Sequence, residues 1–165
     1  MKLAILEDRP WIMMSMLREI REILPSEEIS LLYYVNPITR LEESITKMEP
    51  ECEKLGVGLT MIFENEFESK IEELYADIER IFFFDLVLDD NADFFEERIN
   101  VKFAEEKKAD KRIWFYTTSG KYNVSKIMEE FEDQYIPVSN YDADRDEIIF
   151  DIETVKEILK KHQGS

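Results

Sequence analysis

Apolar positions along the chain switch between two spacings, short unbroken runs and recurrences every three or four residues. Lys2 to Leu6 is a run of the first kind and predicts a buried strand, and Pro10 just beyond it suits the first turn of a helix. Met13, Leu17, Ile20 and Leu24 mark one face of that helix, which should end before Pro25-Ser26. Ile29 to Val35, closed by Asn36-Pro37, predicts a second strand. Ile38, Leu41, Ile45 and Met48 predict a helix that Pro50 should stop or kink. Val57 to Phe63 predicts a further strand, and Asn65 with Glu68 predicts a helix cap ahead of a buried stripe of Phe67, Ile71, Leu74 and Ile78.

Ile81-Phe82-Phe83-Phe84 is apolar at every position, the mark of a strand covered on both faces. A helix follows over about Asn91 to Lys107, with Phe95, Ile99 and Phe103 on one side. Ile113-Trp114-Phe115-Tyr116 is another covered strand, and Val124, Ile127, Met128 and Phe131 line the helix after it. Tyr135 to Val138 and Glu147 to Phe150 predict short strands, and Ile152, Val155, Ile158 and Leu159 line a last helix. Strands alternating with helices in this way predict an α/β fold of three layers, with a mostly parallel central sheet and helices on both faces. Four glycines and five prolines are too few for a linker, so residues 1–165 read as a single domain.

Composition narrows the chemistry. The formal charge is −17, which disfavours a nucleic-acid partner and an anionic membrane surface. Cys52 and His162 are the single residues of their types, so neither an internal disulfide nor a nitrogen–sulfur metal cage is available. Cys52 reads as a small buried apolar residue, and His162 as a cation near a helix C-terminus. No apolar stretch reaches membrane-spanning length, and Met1-Lys2 runs straight into a strand rather than a signal sequence. A cytoplasmic protein is expected.

In a parallel sheet the carboxyl ends of the strands share one edge, where ligands bind, so the residues that end each strand carry the functional signal. Here they are Glu7-Asp8 after the first strand, Asp85 after the Phe-rich strand, and Thr117-Thr118-Ser119 after the Trp-Phe-Tyr strand. Three carboxylates about 4 Å apart repel by roughly 4 kcal/mol per pair at an effective dielectric of about 20, so the group must protonate, spread or take a cation. Oxygen-only ligands favour Mg²⁺, which sits well between carboxylates and a phosphate. Thr117-Thr118-Ser119-Gly120-Lys121 lacks the glycine and the final hydroxyl of a P-loop, and Glu7-Asp8-Arg9-Pro10 lacks the glycines of a dinucleotide turn. A Ca²⁺ loop over Asp85 to Glu97 lacks its central glycine, so Asp89, Asp90 and Asp93 read as a solvated loop and helix start.

Leu3-Ala4-Ile5-Leu6-Glu7-Asp8, Ile81-Phe82-Phe83-Phe84-Asp85 and Ile113-Trp114-Phe115-Tyr116-Thr117 together resemble the receiver domain of two-component response regulators. The resemblance implies a flavodoxin-like fold and a Mg²⁺ ion held by Glu7, Asp8, Asp85 and the backbone carbonyl of Val87. It further implies that Asp85 accepts a phosphoryl group from a histidine kinase or phosphotransfer partner, with at most self-hydrolysis of the product. Thr117 would be the hydroxyl that moves to the phosphoryl oxygens, and Tyr135 the aromatic switch. Glu7 and Asp85 are 78 residues apart, wider than the family's interval, so an extra strand-helix unit is expected between residues 36 and 80.

Tyr135 to Asn140 contains no lysine where the family carries one, and Asp89 and Phe94 replace its usual Pro and Gly. These departures motivate an alternative, a pseudo-receiver that is never phosphorylated and acts as an acidic interaction module. A Mg²⁺-dependent phosphohydrolase is disfavoured, because Leu86 and Val87 follow Asp85 where an Asp-x-Asp pair would be needed.

Overall fold

A computed structural model describes residues 1–35, 44–86, 88, 98–116, 129, 131–136, 138–142, 147–150 and 152–163. The elements in chain order are β1 (Lys2–Glu7), α1 (Pro10–Ile23), β2 (Glu28–Tyr34), α2 (Ser44–Leu55), β3 (Gly58–Ile62) and α3 (Phe67–Tyr75). They continue with β4 (Arg80–Asp85), α4 (Ile99–Glu106), β5 (Ile113–Tyr116), β6 (Val138–Asp142), β7 (Glu147–Phe150) and α5 (Ile152–Gln163). Five strands pair in parallel in the order β3-β2-β1-β4-β5, and β6 and β7 form a separate antiparallel pair.

The fold is a three-layer, flavodoxin-like α/β sandwich. The strand order is doubly wound: β2 and β3 are added on one side of β1, and β4 and β5 on the other. The added unit between residues 36 and 80 is β3 with α3 after it, and β3 extends the sheet beyond β2 rather than covering it.

The alternation of side chains along each strand supplies two cores. Leu3, Ile5, Ile81, Phe83, Trp114 and Tyr116 face a layer that includes Met13, Leu17 and Ile20 of α1, Met48 and Cys52 of α2, and Val155, Ile158 and Leu159 of α5. Ala4, Leu6, Phe82, Phe84, Ile113 and Phe115 face Phe67, Ile71 and Tyr75 of α3 and Val101, Phe103 and Ala104 of α4. Both faces of β1 and β4 are therefore covered, which is why their sequences show no polar alternation. Burying each large apolar side chain contributes about 1.5–3 kcal/mol.

Several local expectations are corrected. Pro50 does not stop the helix: it lies inside α2, which runs on to Leu55, with Met48 and Cys52 buried in the core that α1 shares. The helix ends instead at Gly56, whose φ of +66° suits a residue without Cβ. Asn65 sits within a 3₁₀ turn, and the Glu66 carboxylate accepts from the Phe63 N–H to cap that turn. Ile78 lies beyond α3 and is 82% exposed, and Tyr75 takes the last buried place on the stripe. The strand expected from Tyr135 reduces to one parallel bridge, Phe115 with Tyr135, while Val138 belongs to the antiparallel pair. Of the helix expected over Asn91 to Lys107, the described part is α4; residues 91–97, and the stretch holding Val124, Ile127 and Met128, lie outside the described residues. Among the described residues no helix is long and apolar enough to cross a membrane.

Candidate metal centre

Strand register brings the distant acids together. β1 pairs with β4 from Lys2 opposite Arg80 to Leu6 opposite Phe84, so one further step sets Glu7 beside Asp85. On the other side of β4, Asp85 is opposite Tyr116, the last residue of β5. Because side chains alternate, Glu7, Asp85 and Tyr116 all continue the rows of Ile5, Phe83 and Trp114 on one sheet face. Asp8 follows at the point where the chain leaves the sheet for α1.

The result is a compact group of carboxylates. One oxygen each from Glu7, Asp8 and Asp85 lies within 4.8 Å of the other two. Glu7 and Asp85 are buried, with 0% and 1% exposure, and Asp8 is half-buried at the mouth. Charges held this close and this dry require compensation. The donor set fits Mg²⁺, a hard cation that takes oxygen ligands, keeps several waters and needs only one or two carboxylates. Glu7, Asp8 and Asp85 are the residues that would hold it.

The surroundings fix these groups in place. Glu7 Oε1 accepts from the Arg9 backbone N–H at 3.2 Å and from Arg9 Nε–H at 3.4 Å. Glu7 Oε2 accepts from the Tyr116 hydroxyl at 2.7 Å, and that same hydroxyl lies 3.1 Å from the Leu6 carbonyl. Burial, then the negative charges of Glu7 and Asp85, push the Tyr116 phenol well above its ordinary value, so it remains a donor. Burial would lower the Arg9 guanidinium, but Glu7, Asp85 and Asp8 together outweigh it and raise it. The buried Asn100 side chain of α4 donates to the Asp85 backbone carbonyl, which ties the end of β4 to the opposite helical layer.

Not every expected site residue joins this group. Thr117 and Val87 lie outside the described residues, as do Asp89, Asp90, Asp93 and Phe94. Tyr135 is half-buried and packs against the α3–α4 side of the sheet, whereas Glu7, Asp85 and Tyr116 occupy the α1 side. Burial alone raises its phenol. Cys52 is buried with Sγ 4.0 Å from Met14 Sδ, and burial pushes its thiol up, away from nucleophilic use. His162 meets the Trp114 ring edge-on, and burial followed by the Arg112 charge lowers its pKa, so it is not the helix-end cation its position suggests.

Arg9, Tyr116 and Asn100 are the site residues that sequence reasoning missed. Tyr116 had a usable signal, because it ends a covered strand at the alternation position that Asp85 occupies in β4. No family model, curated protein or solved structure matches the chain.

Proposed function

We propose that the chain is a receiver-like signalling protein in which Asp85 accepts a phosphoryl group from a phosphohistidine on a partner kinase or phosphotransfer protein, in a Mg²⁺-dependent step. The observation that carries this reading is the convergence of Glu7, Asp8 and Asp85 within 4.8 Å at the carboxyl ends of neighbouring parallel strands. An Asp85 carboxylate oxygen attacks phosphorus as the phosphorus–nitrogen bond breaks. The electron pair goes to the partner's imidazole, which leaves neutral if its other nitrogen carries a proton. When bound, Mg²⁺ supplies positive charge for the phosphoryl oxygens. Asn100 steadies the Asp85 backbone, while Tyr116 and Glu7 hold the inner wall of the site. The Val87 carbonyl as a further ligand, the Thr117 hydroxyl as the responding group and Tyr135 as the switch belong to the same proposal. Output would pass through protein contacts.

A direct test is incubation of the full chain with Mg²⁺ and acetyl phosphate. We expect uptake of one hydroxylamine-labile phosphoryl group by intact mass, none in Asp85→Ala, and a melting temperature that rises with Mg²⁺. A cation at about 100 times its dissociation constant adds about 2.7 kcal/mol. A wild-type protein that takes up no phosphoryl group, or an Asp85→Ala variant that labels equally, defeats the reading.

One observation favours the alternative, an unphosphorylated pseudo-receiver. Arg9 already sits on Glu7, so the chain carries an internal cation at the site. In that case Mg²⁺ would leave both the melting temperature and the calorimetric baseline unchanged.

A further inference from the structure

Arg9 stands out in the site because it is a cation built into a group of acids. Its backbone N–H and its guanidinium Nε–H both reach Glu7 Oε1, so the turn and the charged head are attached to the same carboxylate oxygen. Glu7 is in turn held through its second oxygen by Tyr116. Both Glu7 oxygens therefore accept from donors of the chain itself. That makes Glu7 a holder of Arg9 as much as a member of the carboxylate group. Glu7 is fully buried and the Arg9 side chain keeps 31% exposure, while the Arg9 charge is felt by Asp85 and Asp8 as well as by Glu7.

Charge decides what such an arrangement does. A divalent cation entering beside Glu7, Asp8 and Asp85 meets the repulsion of Arg9. A phosphoryl group on Asp85 replaces one negative charge with two and meets its attraction. We infer that Arg9 is the oxyanion-recognition residue of the site, positioned by Glu7 and Tyr116, and that it opposes the cation while favouring the phosphoryl group. The inference rests on the receiver-like reading above, since it presumes a cation and an oxyanion at Asp85. Its signature is a change of opposite sign in two affinities, which loss of local structure cannot produce.

The test uses the full chain with Arg9→Gln, which removes the charge, and Arg9→Lys, which keeps it. Mg²⁺ binding is followed by calorimetry. Binding of trifluoroberyllate, a phosphoryl mimic, is followed at saturating Mg²⁺ by fluorine NMR, with thermal melts to check that each variant is folded. Arg9→Gln should bind Mg²⁺ on the order of tenfold more tightly and trifluoroberyllate on the order of tenfold more weakly. Arg9→Lys should stay near the wild type in both. An Arg9→Gln variant that weakens both ligands, or leaves trifluoroberyllate binding unchanged, overturns the role of Arg9 alone. A wild-type chain that binds neither ligand overturns this role and the receiver-like reading together.

Discussion

The two ends of the parallel sheet handle charge in opposite ways. At the amino ends, Lys2, Arg80 and Arg112 are each paired with an acid. Lys2 Nζ lies 2.6 Å from Asp77, and Arg80 reaches Glu28 at 3.0 Å and Ser30 Oγ at 3.2 Å. Arg112 is bound most fully: Nε donates to Asp110 at 2.7 Å, and its other nitrogens donate to the carbonyls of Asp77, Arg80 and Tyr75. Its guanidinium also stacks 3.8 Å from the centre of the Tyr75 ring. Burial and the hydrogen bond to Asp110 push the Tyr75 phenol up to about 12, so it keeps its proton and donates to that carboxylate.

At the carboxyl ends, three acids cluster with Arg9 on Glu7 beside them. Matched buried charges are a means of holding the strand ends together. An excess of one sign is a cost to the fold that makes sense where a ligand supplies the balance. The same sheet thus carries an edge of paired charges and an edge of clustered acids.

The contrast can be broken from the stabilising side first, where the largest effect is expected. Arg112→Ala removes four donor contacts, those to the Arg80 and Tyr75 carbonyls being buried, and should cost about 3–5 kcal/mol in urea denaturation. Arg112→Lys should recover little, because an ammonium cannot reach the same spread of carbonyls. Mg²⁺ affinity should be unchanged in any variant that stays folded; a loss there would mean that the two edges are not independent.

The acidic edge should respond with the opposite sign. Asp85→Asn keeps the shape of the side chain but removes one of three mutually repelling charges, so without Mg²⁺ it should raise stability by about 1–2 kcal/mol. A fall in stability would show that Asp85 is already compensated within the fold, which would remove the contrast.

The smallest expected effect sharpens the boundary between the edges. His162 lies against Trp114 with Arg112, Asp110 and Lys161 as its charged neighbours, and its folded pKa is held below 6.5 by burial and then by Arg112. The unfolded chain therefore takes up the proton first as pH falls below 6.5. The contribution of His162 is fully present above that pH and is lost as pH falls through the folded value. Comparing the wild type with His162→Gln between about pH 5 and 8 should show the wild type losing more stability on the acid side. A parallel pair of curves would remove His162 from this account.

Particular residues show how far local pattern reached. The runs at Leu3 to Leu6 and Ile81 to Phe84 announced covered strands, because a strand buried on both faces leaves no polar alternation. The Met13 and Leu17 stripe was likewise read as core, and it is buried. Pro50 and Ile78 misled, since tertiary packing against α1 overrode one local rule and the early end of α3 at Tyr75 defeated the other. Glu7, Asp8 and Asp85 were legible as strand-end residues, but the Tyr116 contact with Glu7 was not, because nothing in spacing says which side chain crosses from β5 to β1.

The sequence by itself determined the class of fold, the surplus of acid and the ends of the strands that bear it, because hydrophobic period and residue type are local properties of a chain. Strand order and register were decided only in three dimensions. They depend on how separated segments bury one another, and that choice set Glu7 beside Asp85 and Asp85 opposite Tyr116.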